Sequence, residues 1–118
     1  KKIIICIYGA DTFYQSTPLD EYVNIASGQA FMHLKRYDEL KYNPDDSLLD
    51  YNKKNMTIVL PNPQINISNP NFNTCRQSGC QFVGMSFPSN DINLQQYNLF
   101  FANNKSAFVL KPKGLIAD

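Results

Sequence analysis

The sequence predicts an α/β fold in which short parallel strands alternate with crossover segments. Four short, mainly apolar runs, at residues 3–8, Met56–Leu60, 81–87 and 107–110, are each followed closely by Gly or Pro. Helix-forming segments and one long loop separate these runs. Strands joined by long crossovers pair in parallel, because a parallel pair cannot be closed by a tight hairpin.

The first strand is predicted at residues 3–8, where a continuous β-branched apolar run ends at Gly9. Such a run is typical of a strand that is buried on both faces. The polar stretch from residue 11 to residue 20 is predicted as a loop, and residues 22–25 as briefly extended.

A helix is predicted over residues 28–41, with Ser27 as its N-cap and Asn43-Pro44 after its end. Its apolar residues recur every three or four positions and form one stripe, with charged residues outside it. The stripe comprises Ala30, Phe31, Leu34, Tyr37 and Leu40.

A second, short helix is predicted over residues 47–51, capped by Asp45 or Asp46. The second strand, Met56–Leu60, follows it and ends at Pro61. Residues 62–78 contain several Asn and few apolar side chains, so we predict a long loop.

The third strand is predicted at residues 81–87 and ends at Pro88. Asn90 or Asp91 caps a short helical stretch through Leu94 and Tyr97, and residues 107–110 form the fourth strand. These helices can cover only one face of the sheet. The shortage predicts the C-terminal half of a (β/α)₈ barrel, and we expect the first half to lie upstream in a longer chain.

The composition is that of a globular protein, with 43% hydrophobic, 18% charged and 13% aromatic residues among 118. A formal net charge of +1 supplies no strong field that would attract nucleic acid or anionic lipid, and nucleic acid is not an expected partner. The longest apolar run is too short to cross a bilayer. His33 is the only histidine, which excludes a two-histidine relay within the chain, and we expect it at the surface or the edge of the core.

Cys6, Cys75 and Cys80 give an odd count, which indicates no disulfide framework. Without a neighbouring His or further Cys they do not match a zinc motif, so we expect buried thiols and a cytosolic protein. Three glycosylation sequons, which begin at Asn55, Asn66 and Asn104, leave an unrelated extracellular domain as an alternative.

Two motifs carry a resemblance to a known family. Residues 78–87 read Ser-Gly-Cys-Gln-Phe-Val-Gly-Met-Ser-Phe, and residues 108–112 read Phe-Val-Leu-Lys-Pro. They resemble the Gly-Cys-Gln-x-Val-Ala-Leu-Asn-Phe and Tyr-x-Leu-Lys-Pro stretches of phosphoinositide-specific phospholipase C. Both stretches belong to the Y-box, the second half of the catalytic barrel of that family.

The resemblance extends over nearly the whole chain, so residues 1–118 are interpreted as one Y-box half-barrel. Residues 51–54 resemble the Tyr-Asn-Lys-Arg stretch of the family, and residues 57–61 fall on Ser-Arg-Ile-Tyr-Pro. Residues 24–27 fall on the Ser-x-Ser-Glu entry to a helix, and residues 68–69 on the end of Asp-Ser-Ser-Asn. Arg76 replaces a Trp that usually precedes Gly-Cys-Gln.

The resemblance implies Ca²⁺-dependent hydrolysis of phosphatidylinositol 4,5-bisphosphate to diacylglycerol and inositol trisphosphate, in lipid signalling. The catalytic histidines and the Ca²⁺ ligands of the family lie in the X-half of the barrel, so this segment by itself is expected to be inactive. Implied partners are the phosphoinositide membrane surface, the X-half of the same barrel and an adjacent C2 domain. The implied location is cytoplasmic, at the membrane periphery.

The Y-half contributes substrate-binding residues, and all three positions depart from the family pattern. Asn24 stands at the position of a Ser, Ile58 at that of an Arg and Leu60 at that of a Tyr. Loss of a charged hydrogen bond to phosphate costs about 1.5–3 kcal/mol, or roughly ten- to hundredfold in binding. Two interpretations therefore remain. The longer protein is either an enzyme with an altered headgroup preference, or a catalytically inactive scaffold or inositide-binding protein.

The remaining candidates are polar or aromatic side chains near the predicted site. Gln64 lies where some relatives carry an apolar, membrane-dipping tip, so insertion is expected to be weak. Lys111 is expected to be solvated, with anionic headgroups as the alternative contact. Lys53 and Lys54 precede the second strand, away from a site, and Tyr97 and Phe101 are expected in the core.

Overall fold

The computed structural model describes residues 5–7, 13–23, 25–26, 32–42 and 46–117. Along the chain, the five strands among these residues are β1 (Cys6–Ile7), β2 (Ile25–Ala26), β3 (Met32–Arg36), β4 (Met56–Leu60) and β5 (Phe82–Val83). The helices are α1 (Tyr37–Tyr42), α2 (Asp46–Lys54), α3 (Phe72–Gln77) and α4 (Ile92–Asn104), and a 3₁₀ turn follows at Lys113–Leu115.

Strands β3, β4 and β5 form one parallel sheet in that order. Arg36 lies opposite Leu60 across the β3–β4 pair, and Ile58 lies opposite Phe82 across the β4–β5 pair. Strands β1 and β2 pair in parallel as a second small sheet. The predicted α/β class with parallel strands and crossover helices is confirmed, and the sheet is compatible with part of a (β/α)₈ barrel.

Strand β3 corrects the prediction of one helix over residues 28–41. Met32–Arg36 is a strand that pairs along its whole length with β4, and only Tyr37–Tyr42 is helical. Residues 28–31 lie outside the described residues. The spacing of Leu34, Tyr37 and Leu40 fits a helical stripe, but pairing with β4 outweighs this local preference.

The core lies on one face of the sheet, beneath the helices. Strand β4 alternates, with Thr57 and Val59 fully buried and its other three residues half-buried. Val59 belongs to a buried cluster that also contains Leu40, Leu48, Cys75 and Cys80. The opposite face, which carries Met56, Ile58 and Leu60, is less completely covered. This asymmetry agrees with the prediction that the helices cover only one face.

The crossover segments differ in length from the predictions. A helix, α3, interrupts the loop predicted at residues 62–78, and the Asn71 side chain caps it by accepting a 3.1 Å hydrogen bond from the Thr74 N–H. Helix α2 extends to Lys54, beyond its predicted end. Asp91 caps α4 as predicted, with a 2.9 Å bond from the Leu94 N–H, but α4 continues to Asn104.

Of the last two predicted strands, the third is shorter than expected and the fourth is absent from the described sheet. Only Phe82–Val83 of residues 81–87 is a strand, and residues 107–110 pair with no described strand. Phe108 and Leu110 are 77% and 92% exposed. The prediction of a fourth strand is wrong for this structure, because an apolar run becomes a strand only where another backbone pairs with it.

Among the residues that the structure describes, none of the helices is both long and apolar enough to cross a membrane.

Candidate functional site

The candidate site lies at the edge where the parallel strands end. Side chains and loops that follow parallel strands meet at the same edge of a sheet, which is where α/β proteins bind their ligands. Here β3 ends at Arg36, β4 at Leu60 and β5 at Val83. We call this region the C-terminal edge.

Arg36 is the charged residue that ends β3, and sequence reasoning missed it. Its Nη1 donates a 2.9 Å hydrogen bond to the carbonyl of Pro61, directly after β4. Its backbone N–H donates to Oε1 of Glu39 at 2.7 Å, at the start of α1. The side chain is half-buried. The helix predicted over residues 28–41 hid this position, because it placed Arg36 on the charged side of a helix and not at the end of a strand.

A second hydrogen bond joins the segments that follow β3 and β4. The backbone N–H of Asp38 donates to Oδ1 of Asn62 at 3.0 Å. Lys35 Nζ lies 3.9 Å from Oε2 of Glu39. The turn after β3 is therefore attached to the loop after β4 by the Arg36 side chain and by the Asp38 backbone N–H. These two hydrogen bonds hold the two segments together at the C-terminal edge.

The structure places two of the three predicted substrate-binding positions on the less covered face of the sheet. Ile58 and Leu60 are half-buried there, and neither offers a polar group. A Cβ atom at Gly84 would lie 2.9 Å from Cδ2 of Leu60, so a larger residue there would require the Leu60 side chain to shift. Asn24, the third position, lies outside the described residues.

Gln64 lies in the exposed loop after β4 and is bound within it. Its Nε2 donates to the Ser68 hydroxyl at 2.8 Å. The next residue, Ile65, is fully exposed at 101% relative accessibility, and Ile67 is 40% exposed. The loop therefore does present an apolar tip, one position after the residue that the sequence indicated.

A buried asparagine connects the loops that follow β4 and β5. Asn69 is 3% exposed, and its side chain accepts a 2.6 Å bond from the Ser86 N–H. Its Nδ2 donates to the carbonyls of Ser86 and Ser89 and to Oδ1 of Asp91. Burial raises the pKa of Asp91, but hydrogen bonds from Asn69 and Leu94 outweigh it and lower that pKa overall.

The opposite, N-terminal edge of the sheet contains the residues that carried the family resemblance. Asn52 is 1% exposed, accepts a 2.6 Å bond from the Thr57 hydroxyl and donates to the Ser78 carbonyl at 2.8 Å. Its own carbonyl accepts from Gln81 Nε2 at 3.1 Å and from Lys111 Nζ at 2.6 Å. The Gly-Cys-Gln and Leu-Lys-Pro motifs therefore meet at Asn52.

Lys111 is consequently not the solvated residue that the sequence suggested. It is half-buried, and burial lowers the pKa of its ammonium group despite the opposing effect of the nearby Cys80. Lys53 and Lys54 end α2 at this same edge, where Lys53 pairs with Asp50 at 2.8 Å. These three lysines lie away from the C-terminal edge. Lys111 binds the Asn52 carbonyl and not an anionic headgroup in this structure.

Cys75, Cys80 and His33 have the environments of structural residues; the side chain of Cys6 lies outside the described part of the chain. Cys75 and Cys80 are buried free thiols, as predicted. Burial raises the pKa of Cys75 to about 12 and that of Cys80 to about 11, which makes both unreactive at neutral pH. His33 is exposed, as expected, and its ring stacks on Tyr51 with centroids 3.8 Å apart.

An apolar cavity of about 770 Å³ lies between β4, β5, the aromatic side chains of α3 and α4, and the C-terminal segment. Phe72 contacts Tyr97, Phe100 and Phe101 with centroid distances of 5.0–5.7 Å. Tyr97 and Phe101 are half-buried in this cluster, in agreement with their predicted packing role. Ile58 is one of the side chains that line the cavity.

Within the described ranges, no group of three or more His, Cys, Asp or Glu side chains could hold a metal ion. Two acidic side chains near the C-terminal edge accept hydrogen bonds: Glu39 from the Arg36 backbone N–H, and Asp91 from Asn69 and Leu94.

Comparison with protein families gives a match that covers most of the chain. The family model of the phosphatidylinositol-specific phospholipase C Y domain matches residues 7–114. Comparisons with curated proteins and with solved structures give no significant match.

Proposed function

The chain belongs to the phosphatidylinositol-specific phospholipase C Y-domain family, and on that premise we propose that it is the Y-half of a phosphoinositide phospholipase C. The family is one of phospholipase C-type hydrolases, and the match is evidence against a domain that is unrelated to this family. The proposed reaction is cleavage of phosphatidylinositol 4,5-bisphosphate to diacylglycerol and inositol trisphosphate, carried out by the longer protein and not by this segment.

The observation that carries the proposal is the uneven coverage of the parallel sheet. Helices bury Thr57 and Val59 on one face, whereas Met56, Ile58 and Leu60 on the other face stay half-buried. In a closed barrel, that second face points inward and packs against side chains from the other strands. Covering it with an X-half supplies both the missing core and a site at the C-terminal edge.

The residues of this chain indicate which roles belong to each half of the proposed barrel. The proposed catalytic histidines and Ca²⁺ ligands come from the X-half, since the described residues offer no metal-binding cluster. This half positions the substrate: its C-terminal edge is fixed by Arg36, Asn62 and Asn69. Because Ile58 and Leu60 offer no hydrogen bond to a phosphate, we propose that other residues bind the headgroup phosphates.

The proposed setting is the cytoplasmic membrane surface, with a C2 domain adjacent in the longer protein. The exposed Ile65 supports a contact with lipid, because a fully exposed isoleucine at a loop tip gains from leaving water. Gln64, which binds Ser68, orients the loop.

A second candidate function is a catalytically inactive scaffold that binds inositides or proteins. The observation that favours it is the apolar pair Ile58 and Leu60 at positions where the family binds phosphate. If the second candidate is correct, the longer protein binds inositide vesicles but releases no diacylglycerol.

The test is a lipase assay on the full-length protein with vesicles that contain phosphatidylinositol or its mono- or bisphosphate, over a Ca²⁺ titration. The proposal predicts Ca²⁺-dependent release of diacylglycerol from the vesicles that contain the bisphosphate. Binding without turnover by a folded protein establishes the scaffold, and neither binding nor turnover with any inositide overturns both candidates.

A further inference from the structure

We infer that Arg36 is the phosphate-binding residue of this half, and that it supplies from β3 the cation that β4 lacks. This inference rests on the proposed function and identifies the part of the substrate that Arg36 contacts, a phosphate of the inositol headgroup. The structure, not the family pattern, points to this residue.

The pairing of β3 with β4 puts Arg36 next to the apolar positions. Arg36 lies opposite Leu60, and Leu34 lies opposite Ile58. Side chains of directly paired residues in a parallel sheet lie on the same face, so Arg36 shares the less covered face with Leu60. Neighbouring strands are about 4.8 Å apart, well within the length of an arginine side chain.

The guanidinium has donors available for a ligand. Nη1 binds the Pro61 carbonyl, which fixes the group at the C-terminal edge. Among the described residues, no other acceptor takes a hydrogen bond from this side chain. A guanidinium has five N–H donors in a planar fork, so it can bind a phosphate with two parallel hydrogen bonds while it keeps its contact with Pro61.

The nearby carboxylates leave the positive charge of Arg36 available. Glu39 accepts from the Arg36 backbone N–H through Oε1, and its Oε2 lies 3.9 Å from Lys35 Nζ. The two ion pairs among the described residues are Lys35–Glu39 and Lys53–Asp50, and neither includes Arg36. A half-buried cation without a carboxylate partner, at a ligand-binding edge, is suited to a phosphate.

The experiment compares the full-length protein with Arg36→Gln, Arg36→Lys and the control Arg76→Gln, on neutral vesicles with either phosphatidylinositol or its 4,5-bisphosphate. The control removes the same charge near the end of α3, where the Arg76 guanidinium lies 5.0 Å from the Phe100 ring centroid. We expect Arg36→Gln to weaken binding to the bisphosphate vesicles roughly tenfold or more. Binding of phosphatidylinositol and binding by Arg76→Gln should change less than about twofold.

Arg36→Lys keeps the charge but not the fork, so we expect an intermediate loss of several-fold on the bisphosphate vesicles. A purely structural role of Arg36 would weaken binding of both lipids equally. Thermal unfolding of each variant identifies a folding defect, and if Arg36→Gln is unfolded at the assay temperature, the comparison of the two lipids is made with Arg36→Lys.

The outcomes separate this inference from the proposed function. A wild type that binds the bisphosphate no better than phosphatidylinositol, or that binds it selectively but equally well in both Arg36 variants, overturns the assignment of Arg36 and leaves the proposed function intact. A folded wild type that neither binds nor cleaves any inositide overturns the proposed function itself.

Discussion

Lys111 donates a 2.6 Å hydrogen bond from Nζ to the backbone carbonyl of Asn52, a residue 59 positions earlier in the chain. The same carbonyl accepts from Gln81, so the two motifs by which the chain resembles its family share one acceptor. Their role in this structure is to join α2, β5 and the C-terminal segment at the N-terminal edge of the sheet.

Replacement of Lys111 by Met should destabilise the protein by about 1–2 kcal/mol, because it removes a partly buried, charged hydrogen bond but keeps the apolar stem. Urea denaturation of the full-length protein measures the change. Lys113→Met is the matched control, since Lys113 is exposed in the following 3₁₀ turn. Equal effects of the two variants would contradict the role assigned to Lys111.

Gly79→Ala should cost about 1–2 kcal/mol of stability. Gly79 has φ +75°, in the left-handed region, and an added Cβ would lie 3.1 Å from Cβ of Asn52. Gly114→Ala is the control, because an added Cβ there would meet nothing within 4 Å and its φ is not positive. Thermal unfolding should show a lower melting temperature for the first variant alone.

Asn69→Ala should lower the free energy of unfolding by about 2–3 kcal/mol, since it leaves several partly buried polar groups without a partner. It should also loosen the loops after β4 and β5, which hydrogen exchange at Ser86 and Leu94 can detect. Asn66→Ala, at an exposed position of the same loop, serves as the comparison. If exchange at Ser86 is unchanged, Asn69 does not hold these loops together.

The buried thiols make the protein less stable at alkaline pH. The ordinary pKa of these groups is 9.0, whereas the folded protein raises it to about 12 for Cys75 and about 11 for Cys80. Above pH 9 the unfolded chain releases protons that the folded chain retains, so their contribution to stability is complete below pH 9 and is lost as pH rises toward 11–12.

The check is urea denaturation from pH 8 to pH 11, with the double variant Cys75→Ala, Cys80→Ala as reference. We expect a steeper alkaline loss for the wild type than for the variant. Aromatic disulfide reagents should leave both thiols unmodified in the folded protein at pH 8. Parallel pH profiles of the two proteins would refute this interpretation.

Ile65→Ser should weaken binding of the full-length protein to lipid vesicles several-fold, because the fully exposed isoleucine buries its apolar surface only in the membrane. Gln64→Ala, which removes the bond to Ser68 next to it, should have a smaller effect. Sedimentation with sucrose-loaded vesicles measures both. Identical binding by Ile65→Ser and the wild type would place the membrane contact elsewhere.

Local sequence patterns were sufficient for some elements. The β-branched run Met56–Leu60 between a helix and a proline forms β4, and Asp91 caps α4 as its position before an apolar stretch indicated. The motifs near Cys80 and Lys111 indicated the family, which the match over residues 7–114 confirmed. The strand β4 and the cap of α4 depend mainly on residues that are close in sequence. The two motifs are specific combinations of residues, so they could indicate the family without knowledge of the structure.

By itself, the sequence determined the parallel α/β class, the family and the absence of polar groups at positions 58 and 60. Only the tertiary structure decided that Met32–Arg36 is a strand, that residues 107–110 are not one, and that Lys111 binds Asn52. The physical reason is that strand pairing and buried hydrogen bonds join residues far apart in the chain. The free energy from local propensity is smaller than the free energy from pairing with a partner strand. Arg36 could be identified as a site residue only from its position opposite Leu60 in the sheet.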